Sequence, residues 1–581
     1  MASRARRPGG KRWQIAQPFT GAEDLARRVG TFPLVAQILH NRGIDNPEAA
    51  RAFLNPRLAD LHDPQLLCGA PQAARQIAQA IADGKRIYIY GDYDVDGIAG
   101  VAILLRCIRL AGGDAKYYVP HRIEEGYGVN AEAVRKIIAD GAKLMITVDC
   151  GVSAAEPISA AAKAGMETIV TDHHSLPEQL PPASAIVHPA MPGAGYPNED
   201  LSGAGVALKL AWQIAREVCG AERVDEAWSG LLLDAMCLAA LGTIADVVPL
   251  IGENRALAMH GLRGLRGSKQ PGLKALLASA GLAGKALDSF HVGFVLAPRL
   301  NACGRMGHAS LAVELLTDAP PQRAAEIADY LEKQNAERQK VERAITDKAI
   351  RMVQEKHLAD DDHRAIVLAC EDWHSGVIGI VASRLVSRFN RPTIMIAINE
   401  QGAQGSGRSI PGFHMRDALA ACREHLLAFG GHAMAGGIRI EPKKIQGFKT
   451  ALIEYAAGKI SKEQLSPTLR VDAETTLAAL SFPVASQLDK LAPFGQGNPR
   501  PVFALPNCRL VQQPRRVGRT GQTLSMAVGQ NDATMRAVGF GMGDLAEALE
   551  AVATVDLAAE PMLSTFGGMT NVELRLRDVK W

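Results

Sequence analysis

The feature that most constrains the fold is an alternation of short apolar stretches with helix-like segments, which begins near residue 70. RIYIY (86–90), KLMITV (143–148) and METIV (166–170) have the composition of strands, and Ala-rich segments of helical spacing lie between them. Strands that alternate with helices of this length predict a parallel, doubly wound α/β sheet. The carboxyl ends of such strands meet at one edge, where open α/β sheets build their sites.

Acidic residues follow each of these predicted strands. The motif YGDYDVDG (90–97) holds three carboxylates at alternate positions, where like charges repel each other. A fourth apolar stretch, CLAALGTIADVVPL (237–250), carries one acid. We expect a single crevice to collect the side chains of Asp92, Asp94, Asp96, Asp149, Asp172, His173, His174 and Asp246.

So many carboxylates in one place are tolerable only if cations neutralise them. Carboxylate oxygens and imidazole nitrogens without a thiolate favour Mn²⁺ or Mg²⁺, because Cys150, next to Asp149, would point to the opposite face of its strand. The set is large enough for two ions that share one carboxylate. Two ions about 3.5–4 Å apart suit the hydrolysis of phosphate esters.

Each motif taken alone has a structural explanation. A single Asp-x-Asp is usually a solvated turn or a helix cap, and paired histidines after a strand are often capping or core residues. Asp246 alone could pair with an arginine. The conjunction of four acid-bearing elements within one strand–helix repeat favours the metal site.

Downstream of the sheet the chain changes character. Residues 318–357 are charged and keep helical spacing, which predicts a helix of roughly 50 Å that bridges two domains; the alternative is a surface coiled coil for dimerisation. A second α/β segment follows, and the remainder has short strands around one helix, as in a small closed barrel such as an OB-fold. The predicted divisions are an N-terminal extension (1–75), a catalytic α/β domain (76–255), a helical connector with the long helix (256–357), a second α/β domain (358–460) and an OB-like barrel (461–581).

Composition limits the class of protein. The 581 residues are 47% hydrophobic and 22% charged, so the chain can bury several cores, and its net charge of +3 neither demands nor excludes a polyanionic partner. Nine cysteines without a CxxC pair indicate free thiols in a reducing compartment. No apolar run approaches the roughly 20 residues that span a bilayer. We therefore expect a soluble, cytoplasmic protein that makes no membrane contact.

Four motifs in order, GDYDVDG, VDCG, TDHH and GTIADVVPL, resemble those of the DHH-family phosphoesterases. Five further stretches resemble the RecJ-type branch, the single-strand-specific exonucleases: APRLNACGRMG (297–307), HSGVIGIVASRL (374–385), GSGRSI (405–410), FGGHAMAGG (429–437) and APFGQGNPRPVF (492–503). The likeness runs from about residue 15 to the C-terminus. It implies a DHH domain, a long connecting helix, a DHHA1 domain and an OB-like barrel.

The resemblance also implies roles for the acidic residues. One ion would be held by Asp94 and Asp149 together with Asp92, and the other by Asp96, Asp149, His173 and Asp246, with Asp149 as the bridge. His174 would contact the substrate or support a ligand. Tyr90 stands where pyrophosphatase relatives carry a histidine, so the first ion is either weaker or completed by Asp92 or water.

Substrate contacts are implied outside the DHH motifs. Glycines in GGHAMAGG let backbone N–H groups approach a phosphate, and a guanidinium fork in GSGRSI suits a terminal phosphate. The implied substrate-binding residues are Arg299, Asn301, Arg305, Ser406, Arg408, Gly431 and His432. In the barrel, the basic cluster of Arg515, Arg516 and Arg519 and the rings of Phe494 or Phe503 are candidates for contacts with the strand.

The leading functional hypothesis is a 5′→3′ exonuclease that uses two divalent ions, Mn²⁺ or Mg²⁺, to release mononucleotides from single-stranded DNA in repair and recombination. Its partners would be a single strand with a 5′ end and, as further candidates, a single-stranded-DNA-binding protein or a helicase. One alternative is a DHH-family phosphatase or oligonucleotidase for short substrates. Another is a non-catalytic scaffold that binds DNA, although such proteins lose metal-binding acids and here the set is intact.

Overall fold

The computed structural model describes residues 10–121, 125–126, 128–306, 309–360, 362–400, 402–566 and 568–581. The N-terminal segment begins with a strand and continues with three short helices: β1 (Arg12–Ile15), α1 (Ala22–Val29), α2 (Pro33–Asn41) and α3 (Pro47–Leu54). Asn46 caps α3 by accepting the Ala49 N–H, and Pro47 supplies its first residue. Ile38 and Leu39 share one hydrophobic core with Leu505 of the C-terminal barrel. The N-terminal segment is therefore packed on the barrel, although it lies at the other end of the sequence.

The predicted parallel sheet is present and has five strands. Its strands and the helices around it are α4 (Ala70–Ala82), β2 (Ile87–Gly91), α5 (Val95–Leu110), β3 (Ala115–Tyr118), α6 (Ala131–Ala139), β4 (Leu144–Val148), α7 (Ala155–Lys163), β5 (Glu167–Thr171), β6 (Ala185–Val187), α8 (Gly203–Cys219) and α9 (Glu226–Ala245). The order is β3-β2-β4-β5-β6, and all neighbours are parallel. Every residue of β4 is buried, as its unbroken apolar run requires. The sheet thus places the ends of β2, β4 and β5 side by side.

The connector is helical throughout its described part. Its elements are α10 (Gly252–Gly267), α11 (Pro271–Ser279), α12 (Ser289–His291), a π-helical turn (Val292–Leu296), α13 (Ala297–Met306), α14 (Ser310–Leu316) and α15 (Pro321–Glu355). The 35 residues of α15 span roughly 50 Å, as predicted. Ile327 and Leu331 belong to the core of the catalytic domain, whereas Ile345 and Val353 belong to the core of the next domain. The apolar seam of α15 is therefore used within the chain to join two domains.

The second α/β domain contains β7 (Ile366–Cys370), α16 (Ser375–Phe389), β8 (Thr393–Asn399), β9 (Gly402–Arg408), α17 (Met415–Ala421), β10 (Leu426–Gly431), β11 (Ala435–Ile440) and α18 (Ile445–Lys459). Its sheet order is β10-β11-β9-β8-β7. Strands β7 and β8 are parallel, and the remaining pairs are antiparallel. Helix α16 packs against both α15 and this sheet.

The C-terminal domain is a closed barrel, as predicted. Its elements are β12 (Thr468–Val471), β13 (Ala473–Glu474), α19 (Phe482–Asp489), β14 (Phe503–Val517), β15 (Thr523–Gln530), β16 (Ala533–Phe540), α20 (Leu545–Leu549), β17 (Thr554–Phe566) and β18 (Met569–Lys580). The pairing of β14 with β17 closes the sheet upon itself. Strand β12 instead pairs with β1 in parallel. The N-terminal strand is therefore anchored at the start of the barrel.

Three details differ from or refine the sequence-based expectations. The stretch that carries Asp246 is the end of helix α9, and Asp246 caps its C-terminus. The same helix, Glu226–Ala245, is the one described helix whose length and mean hydropathy of 1.6 would permit a membrane span, and 67% of that window is buried in the protein core. All nine cysteines are free thiols.

Candidate metal centre

The first acidic motif forms the turn between β2 and α5. Asp94 caps α5 because its Oδ1 accepts the N–H groups of Asp96 at 2.9 Å and Gly97 at 3.2 Å. A Cβ on Gly97 would lie 2.5 Å from the Asp92 carbonyl oxygen, so only glycine permits this close turn. The alternation of acids in the sequence thus becomes a tight strand-to-helix corner with its carboxylates at the sheet edge.

Asp96 is held by a second helix terminus. Its side chain is 1% exposed and accepts the N–H groups of Gly203 at 2.6 Å and Ala204 at 3.0 Å, both at the start of α8. A helix N-terminus favours negative charge, so this contact compensates part of the burial cost. Gly242 of α9 also lies against Asp96 and leaves no room for a Cβ. Two helices therefore fix the position of one carboxylate.

Asp149, at the end of β4, has a strained backbone. Its φ of 60° lies in the left-handed region, which is unusual for a residue other than glycine. Its side chain is buried, and a Cβ on Gly203 would come within 2.6 Å of the Asp149 Cβ. Backbone strain that the surrounding structure enforces is typical of functional positions. Here it directs a carboxylate into the crevice.

The two histidines after β5 have different surroundings. His173 Nε2 lies 3.1 Å from Asp149 Oδ1, 3.6 Å from Asp246 Oδ2 and 3.8 Å from Asp96 Oδ2. This nitrogen, which is buried, has no hydrogen-bond partner within the described part of the chain. A buried imidazole nitrogen aimed at three carboxylates is the arrangement expected of a metal ligand.

His174 is oriented by Asp172. Its Nδ1 lies 2.7 Å from Asp172 Oδ1 and 3.9 Å from Asp149 Oδ1. Asp172 also accepts the N–H groups of Val152 at 2.9 Å and His173 at 2.8 Å. The first residue of the DHH triplet thus supports the loop and His174, and it belongs to none of the groups of candidate ligands among the described residues.

The electrostatics of the crevice follow from burial and crowding. Burial, together with the repulsion of neighbouring carboxylates, raises the pKa of Asp96 to about 7, that of Asp246 to about 8 and that of Asp149 well above its ordinary value. Burial lowers the pKa of His173 to about 4, so its imidazole is neutral. For His174, burial opposes the charged form, but the hydrogen bond and charge of Asp172 outweigh it and raise the pKa to about 9.

The residues present fit divalent cations. Three overlapping groups each bring their donor atoms within 4.8 Å of one another: Asp92, Asp94 and Asp149; Asp96, His173 and Asp246; and Asp149, His173 and His174. Oxygen donors with one or two imidazoles match the preferences of Mn²⁺ and Mg²⁺. A positive ion would remove the repulsion that raises the pKa values of these carboxylates.

The predicted substrate residues of the connector lie beside this cluster, on α13. Asn301 Oδ1 accepts the N–H of Val95, in the acidic corner, at 3.2 Å. Arg305 donates to the Gly376 carbonyl oxygen at 2.8 Å and so joins α13 to α16. The guanidinium of Arg299 forms an ion pair with Glu332 of α15 at 2.5 Å. Their contacts with substrate stay predictions.

The predicted phosphate-binding residues of the second domain lie on β9 and beside β10. Arg408 Nη1 donates to Ser406 Oγ at 3.1 Å, and Gly379 of α16 leaves room for both side chains. Gly431 has a φ of 136° and no space for a Cβ, and His432 follows it. His432 lines a cavity of about 440 Å³ together with His174. His432 of the second domain and His174 of the catalytic domain thus line the same cavity.

A larger cleft of about 910 Å³ runs between the connector and the second domain. Its lining includes Ala245, the neighbour of Asp246, and Phe294. Phe294 is 72% exposed, and its ring is stacked on that of Phe290 with 5.0 Å between the ring centroids. Its basic lining comes from Arg305, Arg338, Arg343, Arg384 and Arg388, and Glu342, which pairs with Arg338 and Arg384, also lines it. Only Arg305 was predicted as a substrate contact; Arg384 lies in the RecJ-like stretch HSGVIGIVASRL (374–385) but was given no role, because an arginine on a helix carries no local sign of binding.

The candidate aromatic contacts of the barrel are not on its open surface. Phe503 is fully buried in the barrel core, which contradicts its candidacy for stacking on a base. Phe494 is partly buried and lies 4.4 Å below the Arg500 guanidinium. Arg516 of the basic cluster pairs with Glu547 at 2.9 Å.

Comparisons with known proteins agree with this architecture. The family model described as the DHH family, N-terminal domain, matches residues 86–240, the DHHA1 domain matches 362–458, and the RecJ OB domain matches 471–578. The single-stranded-DNA-specific exonuclease RecJ of Bacillus subtilis is 38% identical over 571 residues, which cover 98% of this chain and 70% of that protein.

The chain belongs to the RecJ family.

Crystal structures of the RecJ family agree with the fold. RecJ of Thermus thermophilus in complex with Mn²⁺ superposes with a TM-score of 0.83 at 31% identity, over 98% of this chain and 79% of that one. The complex of the same protein with Mg²⁺ gives a TM-score of 0.78 at 31% identity, over 98% and 78% of the two chains. The matched family domains lie within the predicted divisions 76–255, 358–460 and 461–581, whose boundaries stay predictions.

Proposed function

We propose that this chain is a 5′→3′ exonuclease that hydrolyses the phosphodiester bonds of single-stranded DNA and releases mononucleotides. The observation that carries the proposal is a basic, partly aromatic cleft beside the cluster of carboxylates and imidazoles: its lining includes Ala245, the neighbour of Asp246, and Asn301, which accepts the N–H of Val95 in the acidic turn. The RecJ relatives, named as single-stranded-DNA-specific exonucleases, support the same reaction.

The cluster of candidate metal ligands would hold two Mn²⁺ or Mg²⁺ ions. Asp92, Asp94 and Asp149 form the proposed first site, and Asp96, His173 and Asp246 complete the second with Asp149 shared. When bound, such ions supply a hydroxide at neutral pH and stabilise negative charge on the phosphate. The backbone N–H groups at the starts of α5 and α8 hold Asp94 and Asp96 in place.

His174 has a different part in the proposed reaction. Asp172 orients its ring and favours the protonated form, so its N–H can donate to a phosphate oxygen or to the leaving oxygen at the mouth of the cluster. It lines the smaller cavity that His432 closes from the other domain. We propose that this side of the cluster receives the terminal nucleotide.

The strand would approach through the larger cleft. Arginines from α13, α15 and α16 match the phosphates, and the exposed ring of Phe294 offers a stacking surface for a base. Ser406 and Arg408 would bind the 5′ phosphate. Because α15 and α16 enclose this path, a single strand would pass and a duplex would be excluded.

The cellular setting is also a proposal. Removal of nucleotides from a 5′ end suits DNA repair and recombination, and nine free thiols fit the reducing cytoplasm. A single-stranded-DNA-binding protein or a helicase would supply the single strand on which the enzyme acts.

The test compares substrates and one variant. Wild-type protein with Mn²⁺ is expected to release mononucleotides from a long 5′-phosphorylated single strand and to leave a blunt duplex intact. Asp149→Ala is expected to abolish cleavage, because it removes the shared ligand, while strand binding measured by fluorescence anisotropy persists. Preference for oligomers of two to four nucleotides would support the oligonucleotidase alternative. A variant that cuts at the wild-type rate would contradict the assignment of the site.

A further inference from the structure

The barrel domain contacts the metal centre indirectly, through the segment that follows Asp246. Six residues, 246–251, join the end of α9 to the start of α10. Val247 has a φ of 63° although it is not glycine and its side chain is exposed. A strained residue beside a candidate ligand must be held by its surroundings. The partners of this segment therefore influence where the Asp246 carboxylate lies.

A loop of the barrel domain supplies those partners. The N–H of Leu250 donates to the Gln496 carbonyl oxygen at 2.8 Å. A Cβ on Gly495 would lie 2.7 Å from Leu250 Cδ1, and a Cβ on Gly497 would lie 3.2 Å from Pro249 Cβ. The loop 490–498 thus approaches so closely that its backbone lies directly on the segment next to Asp246.

Arg255 fixes this loop from the first turn of α10. Its guanidinium is 1% exposed and donates to the carbonyl oxygens of Leu491 and Ala492, each at 2.8 Å, with longer contacts to those of Lys490 and Pro493. Its Nε donates to the Phe53 carbonyl oxygen at 2.8 Å. Within the described part of the chain, no carboxylate lies within ion-pair distance of it.

The loop is also closed internally. Asn498, fully buried, donates to the carbonyl oxygens of Leu491 at 2.7 Å and Pro493 at 2.9 Å and accepts from Arg42 Nε at 2.7 Å. Asn498 thus keeps the loop in one conformation.

The charge of Arg255 is buried and surrounded by carbonyl groups from other domains, which is costly to retain for stability alone. The contacts of Arg255 hold three parts of the chain in a fixed arrangement: α3, α10 and the barrel loop.

We infer that Arg255 and the barrel loop 490–498 are positioning elements for Asp246, so that docking of the barrel sets the affinity of the second metal ion. This inference rests on the proposed two-ion site. It adds to the barrel, beside its expected contact with the strand, a structural role in assembling the catalytic cluster. The proposed first site, formed by Asp92, Asp94 and Asp149, takes no ligand from this segment.

The decisive variant is Gly497→Ala, which presses a methyl group against Pro249 without touching any candidate ligand. Its matched control is Gly541→Ala, since Gly541 has a similar φ of 69°, against 71° for Gly497, and nothing within 4 Å of the added Cβ. Mn²⁺ binding is measured by calorimetry without DNA. Gly497→Ala should weaken one of two Mn²⁺ sites about tenfold, the lower range for lost support of a ligand, and Gly541→Ala should weaken neither.

A second pair of measurements separates positioning from general destabilisation. Arg255→Lys keeps the charge but loses the planar fork, and it should weaken the same Mn²⁺ site. For Gly497→Ala and Arg255→Lys, kcat should return towards the wild-type value at saturating Mn²⁺. If the variants lost activity because part of the protein was unfolded, saturating Mn²⁺ would not restore kcat. Gly497→Ala with two unaltered Mn²⁺ sites, or with both sites weakened equally, would overturn the inference. A wild-type protein that binds two ions but releases no nucleotide would contradict the proposed function and leave the inference intact.

Discussion

At the scale of single residues, the fold holds mutually repelling carboxylates close together in the crevice, and a cation would relieve that repulsion. Asp96, Asp149 and Asp246 are crowded and buried, and each has a raised pKa. Their geometry does not relax, because helix termini and close glycines hold them. A cation that binds here relieves the repulsion between these carboxylates, and the free energy released adds to its affinity.

This repulsion predicts how pH affects metal-dependent stability. A carboxyl group whose pKa is raised by folding stabilises the protein below its unfolded pKa, and that contribution is lost as pH rises through the folded values of about 7 and 8. The metal-free protein should therefore become less stable between about pH 5 and pH 8, while Mn²⁺ should bind more tightly because fewer protons compete. By calorimetry, the increase in Tm caused by Mn²⁺ should be larger at about pH 8 than at about pH 6. Asp246→Asn should reduce that difference, and equal increases at both pH values would contradict the explanation.

At the scale of elements, α15 is joined to α16 through buried charges. Glu342 is almost fully buried and pairs with Arg338, one turn earlier on α15, and with Arg384 of α16. Arg338 also donates to Asn335 at 2.9 Å. These polar side chains occupy the middle of the helix, between the two apolar sections that enter separate cores.

Removing the shared carboxylate should therefore destabilise the junction between α15 and α16. Glu342→Gln leaves the buried guanidinium of Arg338 uncompensated, which costs about 3 kcal/mol when a buried pair is broken. We expect a clear fall in Tm by calorimetry. The control is Glu326→Gln, since Glu326 is exposed on the same helix and, among the described residues, forms its ion pair with Arg323 at 3.4 Å; an exposed pair contributes about 0–1 kcal/mol. Equal effects of the two substitutions would show that the buried pair adds nothing.

At the scale of the whole molecule, the net charge is small, and positive side chains are concentrated in the cleft beside the candidate metal ligands. The net charge is only +3, yet the cleft beside the metal cluster is lined by five arginines. Strand affinity should therefore depend on local contacts with phosphates. The fold brings these arginines together from three helices, α13, α15 and α16, that belong to different parts of the sequence.

The salt dependence of binding measures those contacts. If Arg388 contacts one phosphate, Arg388→Gln should reduce the slope of log affinity against log salt concentration by about 0.7 for a single strand. The measurement is fluorescence anisotropy of a labelled oligonucleotide with the Asp149→Ala protein, which does not degrade it. Arg27→Gln serves as the control, because Arg27 is exposed on α1 and pairs with Asp24 at 2.7 Å. An unchanged slope for Arg388→Gln would place the strand outside this cleft.

Much of the catalytic domain was predictable because its signals are local. Strand, turn and helix follow each other in YIYGDYDVDG, and the order of the strands in a parallel sheet brings Asp92, Asp149 and His173 to one edge. The sequence identified Asp246 as a candidate ligand but not its position at the end of a helix, since an unbroken apolar run is compatible with a strand or a helix. The sequence did not indicate that Arg343 and Arg384 line one cleft, although Arg384 lies in a RecJ-like stretch, because the approach of α16 to α15 is a long-range contact. The packing of residues 10–54 on the barrel was hidden for the same reason.

The continuous helix α15 has one more consequence, for movement of the substrate. Where it lines the cleft, α15 presents mainly polar side chains, with Ile350 as the apolar exception: Arg338, Gln339, Glu342, Arg343, Thr346 and Ile350. Under the proposed function, side chains of this kind would contact phosphates and would not select a base. The rate of successive cuts should then depend little on the base sequence of the strand.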